Sequence, residues 1–268
     1  MSATIWRVAL AMAASAGTAA CAHGAAAPVT VLSDPEGVTE EPRPDEVARW
    51  EAASALFAEL DRAGTWDGEA CHRALAAFEG AGARGRRAAR AVYMAGLVST
   101  RCGNTDGARQ LYRRALELDA ALCEPRVGLG LLELEAGRPG EARRAFEQAI
   151  AADAQCAPAY VNLAILQSDE PSERDDAIAN LRRALAVRAD YLPALDRMAL
   201  VYLLQSEERP ELLDLAEVVC RQAQLIDPSY APLYNTWGLI DVEQGSSRAR
   251  PRSSRAPWSS ILDRSRPT

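Results

Sequence analysis

The chain has 268 residues, of which 49% are apolar and 25% charged, and its formal net charge is −7. That balance suits a globular fold and excludes general nucleic-acid binding, which needs a basic face to displace the counterions around phosphates. All 30 basic residues are arginine and only 6% of the chain is aromatic, so a core must be built from alanine and leucine, a composition that suits closely packed helices.

At the N-terminus Arg7 precedes Val8 to Ala20, a small, apolar run without charge. It is too short to cross a hydrocarbon core about 30 Å thick and fits the apolar region of a secretory signal. Thr18-Ala19-Ala20-Cys21 resembles the bacterial lipobox, whose cysteine is diacylated and becomes the new N-terminus, with Thr18 in place of the usual leucine. Residues 1–21 are therefore read as a signal peptide with a lipidation site at Cys21. Ala22 carries no inner-membrane retention signal, so the resemblance implies an outer-membrane lipid anchor with the protein facing the periplasm. The alternatives are ordinary secretion to a soluble periplasmic form and no export. Acyl anchoring would leave the remaining chain soluble. Residues 22–45, rich in Ala, Pro and acidic groups and without apolar period, read as a disordered linker.

From Glu46 the pattern is helical. Trp50, Ala53, Leu56, Phe57, Leu60 and Ala63 recur at three and four residues and form one apolar stripe. Gly64 stops that helix, and Glu69 to Phe78 supplies another. A fixed period follows. Gly96, Gly130 and Ala164 are small; Ala108, Ala142 and Ala177 follow; then come Tyr112, Phe146 and Leu181, and then Ala115, Ala149 and Ala184. The spacing is 34 residues, with one added in the last set. Such a period signals a stacked-helix array, and the fold class expected is an all-α solenoid of antiparallel helix pairs. The repeats span about 50–88, 89–122, 123–156, 157–191 and 192–230, with a half repeat at 231–245, so the solenoid covers 46–245. Gly103 and Gly137 fall where first helices must end and a left-handed cap is needed. Gly96 and Gly130 lie inside helices, where glycine costs about 1 kcal/mol against alanine, which points to close helix approach. The extra residue of the fourth repeat falls in the turn around Pro171, and the fifth repeat is longer by five. Residues 246–268 hold six arginines and one aspartate and read as a disordered basic tail or the remnant of a truncated sixth repeat.

Leu129-Gly130, Ala142, Phe146 and Ala149, with Tyr160, Leu163, Ala164 and Ala184, and then Tyr202, Ala216, Ala223 and Pro228, resemble the tetratricopeptide repeat (TPR). Departures are Ala120, Ala154 and Ala189 in place of proline, Arg126 at the fourth position and Glu133 at the eleventh. The resemblance implies a right-handed superhelix with a concave groove and no catalysis. In that family the groove is lined from the fifth, ninth and twelfth positions of each first helix. Here these are Tyr93, Leu97 and Thr100; Val127, Leu131 and Leu134; Val161, Ile165 and Ser168; Asp196, Leu200 and Leu203; Asn235, Leu239 and Val242. The set is mostly aliphatic, and only Asn162 and Arg197 suggest the polar clamp of repeats that hold a C-terminal carboxylate. The expected ligand is a protein partner offering an apolar helix or extended segment, with some of these side chains alternatively covered by the N-terminal segment or a neighbouring chain.

No nucleophile elbow, zinc motif, phosphate loop or dinucleotide fingerprint occurs. His23 and His72 are the only histidines, and neither is placed for catalysis. No enzyme activity, cofactor, metal, nucleic acid or small-molecule substrate is expected. Cys71 and Cys102 fall at one edge of neighbouring repeats and Cys123 and Cys156 at the opposite edge, so Cys71–Cys102 and Cys123–Cys156 are candidate disulfides in an oxidising periplasm. Their alternative is buried free thiols, and Cys220, at a core position, is expected to stay reduced. The architecture resembles repeat lipoproteins of bacterial surface machines, among them myxobacterial gliding-motility proteins and the pilotins of type IV pilus secretins. That resemblance implies a scaffold supporting assembly of an envelope machine such as gliding motility. The alternatives are a pilotin-like role and a periplasmic adaptor of a cell-wall enzyme.

Overall fold

The computed structural model describes residues 44–81 and 85–249; the signal peptide, Cys21, nearly all of the linker and the tail beyond Ala249 lie outside them. Eleven α-helices and one 3-10 turn make up the described residues. The chain divides into two compact units, at Leu163 and Ala164, inside the helix Ala157–Ser168.

In the first unit the helices are α1 (Pro44–Ala63), α2 (Gly68–Ala81), α3 (Gly85–Arg101), α4 (Thr105–Leu118), α5 (Glu124–Glu135), α6 (Pro139–Ala152) and the first part of α7 (Ala157–Ser168). From α1 to α6 each helix packs on the next, and α3 also meets α5. α1 begins at Pro44, two residues before the expected start of the array, because proline suits a first helical turn that lacks bonded N–H groups. Its stripe closes on α2 through a small aromatic cluster: Phe57 meets Phe78 and Trp66 at ring-centroid distances of 6.3 and 5.4 Å, and Trp50 meets Phe78 at 5.9 Å. These tilted and edge-on arrangements suit the ring quadrupoles.

Small residues set the spacing of the stack. Ala108, Ala115, Ala142 and Ala149 are all wholly buried. Tyr112 of α4 is clasped between two glycines. A Cβ on Gly96 of α3 would lie 2.6 Å from one edge of the ring, and a Cβ on Gly128 of α5 would lie 2.7 Å from the other. Phe146 of α6 sits in the same way against Gly130. Thr100 Oγ1 donates to the Gly96 carbonyl (3.1 Å) and lies 2.9 Å from the Tyr112 hydroxyl, which must then be the donor in that pair. The turns follow the glycines: Gly64, Gly103 and Gly137 have φ of 65°, 72° and 72°. At two of them the next N–H reaches back to the helix, Asn104 to Ser99 O and Arg138 to Glu133 O, both at 2.9 Å, which closes the last turn. Asn104 then caps α4 by accepting from Gly107 N.

The second unit holds the rest of α7, the 3-10 turn Pro171–Glu173, α8 (Arg174–Val187), α9 (Leu192–Gln205), α10 (Glu211–Ile226) and α11 (Ala231–Ala249). α8 packs on α9, and α10 and α11 pack on each other and on α9. Ala177, Leu181, Ala184, Ala199, Ala216, Cys220 and Ala223 are fully buried, so the small-residue register continues through the lengthened turns. No glycine ends α7 or α9. Instead buried Arg174 donates to the carbonyls of Ser168 (3.3 Å) and Leu204 (3.0 Å), supplying the partners that helix ends lack. α11 runs to Ala249, four residues beyond the expected half repeat, because neither glycine geometry nor proline interrupts it before Pro251.

Gly128→Ala should push a methyl group into the Tyr112 ring and lower stability by about 1–2 kcal/mol, overpacking outweighing alanine's better helix propensity. In a Tyr112→Leu background the same change should become neutral or stabilising. Denaturant unfolding of the four combinations reads the coupling; equal effects in both backgrounds would show that the ring does not set the spacing.

Candidate partner-binding surface

The expected groove set separates by burial. In the first unit Tyr93, Leu97, Thr100, Leu131 and Leu134 are half-buried, whereas Val127 (2% exposed) and Val161 (1%) are sealed inside the array. Tyr93 and Leu97 rest on the cluster of Ala108, Tyr112 and Leu132, with the Tyr93 and Tyr112 rings 5.9 Å apart. In the second unit Ile165, Leu200 and Leu239 are half-buried, Ser168, Asp196 and Leu203 are buried, and Asn235 and Val242 are exposed. Tyr93, Leu97 and Leu131 thus stay half-exposed in the first unit and Ile165, Leu200 and Leu239 in the second, each unit taken by itself, while Val127, Val161 and Leu203 are buried. Val127 is sealed because its helix approaches its neighbours at glycine distance.

Of the polar members, Thr100, Ser168 and Asp196 are hydrogen-bonded within the fold, whereas Asn235 is exposed. Ser168 Oγ donates to Ile165 O at 2.7 Å. Asn162, half of the suggested carboxylate clamp, is buried and donates to Pro158 O at 2.8 Å, which ties one amide N–H to its own helix. Asp196 is buried and accepts from Thr236 Oγ1 at 2.7 Å. Burial raises its carboxyl above the usual range against the opposing charge of Arg197 and the Thr236 hydrogen bond. Burial, then the Asp196 charge, also pushes the Cys220 thiol up to about 12 and raises the Tyr230 hydroxyl.

Ion pairs link neighbouring repeats, one of them at a departure from the repeat pattern. Glu133, at an aromatic position, is gripped by Arg138 of its own turn and Arg109 of the preceding repeat. Hydrogen bonds from Arg138, then Arg109, hold its carboxyl below the usual range. Arg101 pairs with Asp61 at 2.6 Å between the first two repeats. Asp175 accepts from Arg209 (2.6 Å) and Gln205 (3.0 Å) between the fourth and fifth, and these hydrogen bonds lower its carboxyl.

The cysteines occupy the two edges. Cys71 in α2 is joined to Cys102 just past α3, and Cys123 just before α5 to Cys156 just before α7, with Cα separations of 6.0 and 6.1 Å. Cys220 is free and buried. His72 is exposed; His23 lies outside the described residues. Among the described residues no group of three His, Cys, Asp or Glu could hold a metal ion.

One surface escaped the sequence reading. Leu215, Val218 and Leu225 of α10 are 45%, 56% and 87% exposed. The corresponding outward positions of the earlier second helices carry Gly107, Glu141 and Asp176, then Gln110, Arg144 and Ala179, then Glu117, Ala151 and Ala186. The signal was available in α10 itself, which is apolar on more sides than one buried stripe requires.

Native alkylation should leave Cys220 unmodified until the protein unfolds, because its thiol stays protonated and buried, and non-reducing peptide mapping should recover both cystines. The Cys71→Ser/Cys102→Ser protein should lose about 2–4 kcal/mol in denaturant unfolding. The raised Asp196 carboxyl has the opposite sign from a salt-bridged acid: the folded state holds its proton more tightly than the unfolded chain. Stability therefore falls as pH rises from about 4 through the folded value, and the cost persists at neutral pH. Asp196→Asn should raise the thermal midpoint at neutral pH by about 2 °C or more, and this gain should vanish near pH 4.

The tetratricopeptide repeat model matches residues 89–122, which comprise most of α3, all of α4 and the turn beyond it. No curated protein matches the sequence. Among solved structures, a thermophilic TPR protein of Thermus thermophilus is 18% identical, with a TM-score of 0.56 over 74% of this chain and 99% of its own. PilW, a widely conserved type IV pilus biogenesis factor, is 18% identical with a TM-score of 0.49 over 82% of this chain and 100% of its own. YrrB, a TPR protein with an unusual peptide-binding site, is 18% identical with a TM-score of 0.43 over 73% and 94%. The fold of the described residues is thus a TPR-like α-solenoid, and residues 89–122 match the tetratricopeptide family itself.

Proposed function

We propose that this chain is a non-catalytic scaffold that holds a protein partner against the aliphatic side chains of its first helices. TPR folds serve generally in protein–protein interaction, and the observation that carries the reading is the disposition of Tyr93, Leu97 and Leu131. They stand half-exposed on a backing of sealed residues while nearby polar groups are tied up internally. Such a surface offers apolar area and shape with few hydrogen-bonding groups, which suits an amphipathic helix or an apolar extended segment.

The proposal includes export and lipid anchoring at Cys21, with the array in the periplasm on the outer membrane. The sequence Thr18-Ala19-Ala20-Cys21 supports it, and cystines at Cys71–Cys102 and Cys123–Cys156 suit an oxidising compartment. On this reading the protein supports assembly of an envelope machine, with gliding motility favoured by the arginine- and alanine-rich, lysine-free composition.

Leu131→Glu would place a charge on the contact surface without entering the sealed core. Pull-down from envelope extracts should lose the principal partner with this variant, a drop of about tenfold or more in recovery, while circular dichroism stays helical. An unchanged set of partners would remove the surface assignment. Metabolic palmitate labelling should mark the wild type and not Cys21→Ser; labelling that survives the substitution, or is absent from both, would refute the anchor.

A further inference from the structure

The two cystines of the first unit differ in access. Cys123 and Cys156 are 4% and 1% exposed, whereas Cys71 and Cys102 are half-buried. Thiol–disulfide exchange needs a thiolate to reach one of the sulfurs, so the half-buried bridge is the one a dithiol can attack while the fold is intact. Cys71 stands in the first turn of α2, its N–H bonded to Asp67 O at 2.9 Å, and Cys102 in the turn that leaves α3, its N–H bonded to Val98 O at 2.9 Å. This bridge therefore fastens the first helix pair to the second repeat. α1 and α2 hold each other through the rings of Trp50, Phe57, Trp66 and Phe78. Polar links from α1 across to α3 include Arg101–Asp61 at 2.6 Å and the longer Arg87–Glu46 pair at 3.9 Å. Leu97 of α3 lies over the same junction: it packs on the cluster that contains Phe57 and Phe78, as Cys102 does, and also on the cluster of Ala108, Tyr112 and Leu132.

We propose that Cys71–Cys102 is a redox-sensitive clamp on the first helix pair. A dithiol reductant opens it while Cys123–Cys156 stays closed, and its opening loosens α1 and α2 from α3 and so removes one side of the support under Leu97. In the first step a thiolate of the dithiol attacks one cystine sulfur, the S–S bond breaks and the departing sulfur takes a proton. The second thiol of the reductant then attacks the mixed disulfide and releases the other cysteine. The cystine gains two electrons and two protons, and the dithiol is oxidised to its own disulfide. Once the bond is broken, the pair is retained by apolar packing and the two ion pairs alone, and a pair at the end of a repeat array that contacts its neighbour on one side opens locally at lower cost than an interior one. The consequence for a bound partner rests on the scaffold reading above; the clamp itself does not.

Timed reduction of the full chain with dithiothreitol, quenched by alkylation and mapped by mass spectrometry, should label Cys71 and Cys102 about tenfold faster or more than Cys123 and Cys156. Hydrogen exchange on the protein reduced at Cys71–Cys102 alone should show the amides of α1 and α2 exchanging about tenfold faster or more, with those of α5 and α6 unchanged. Cys71→Ser/Cys102→Ser should show the same exchange pattern without reductant and no further change with it. Labelling in equal or reversed order, exchange in α1 and α2 that ignores reduction, or acceleration that spreads equally to α5 and α6 would each overturn the clamp. None of these readouts needs a partner, so their failure would leave the partner surface to be decided by the Leu131→Glu pull-down.

Discussion

The contact on which the stack depends is a ring laid against a glycine. Tyr112 touches Gly96 in its own repeat and Gly128 in the next, so one side chain sets two helix separations. The glycines cost helix propensity, and that cost is offset by dispersion contacts that only a missing Cβ permits. Alanines that lose all their accessible surface do the same between the rings. With few aromatics in the chain, close approach of backbones rather than bulky side chains generates the buried area.

Close approach of small residues makes a tight but slippery interface, and the polar links give it register. Arg101–Asp61, Arg109–Glu133 and Arg209–Asp175 each join one repeat to its neighbour. Exposed pairs contribute little individually, but Glu133 is largely enclosed and accepts from two arginines, so its geometry is better defined than a surface pair's. The two cystines act at the opposite edges of the first unit. In the second unit, where turns lengthen and glycine caps are missing, buried Arg174 and the Asn180–Gln167 hydrogen bond at 2.8 Å take over the same task.

The same packing decides what is left for a partner. Drawing α5 in to glycine distance seals Val127, and the neighbouring helices seal Val161, so each face narrows to a few half-exposed aliphatic residues. Asp196 shows the cost of a polar group at such a position: it stays buried with one hydroxyl partner and holds its proton more strongly than a free carboxyl. The outward stripe of α10 and the open face of α11 are the most exposed apolar surfaces of the second unit.

Helix positions, the repeat period, the glycine caps at Gly103 and Gly137 and the burial of Ala108, Ala142 and Ala177 were legible in the sequence. Each depends on local spacing, and a helix turns its residues at a known rate. Only the tertiary structure decided which groove candidates remain accessible, that Asn162 ties an amide N–H to Pro158 O, that Arg174 caps two helices at once and that Glu133 is held by two arginines. These depend on distances between segments far apart in the chain. A period in the sequence says which face turns inward, while the sizes of the residues on both sides of an interface determine how deeply each side chain is covered.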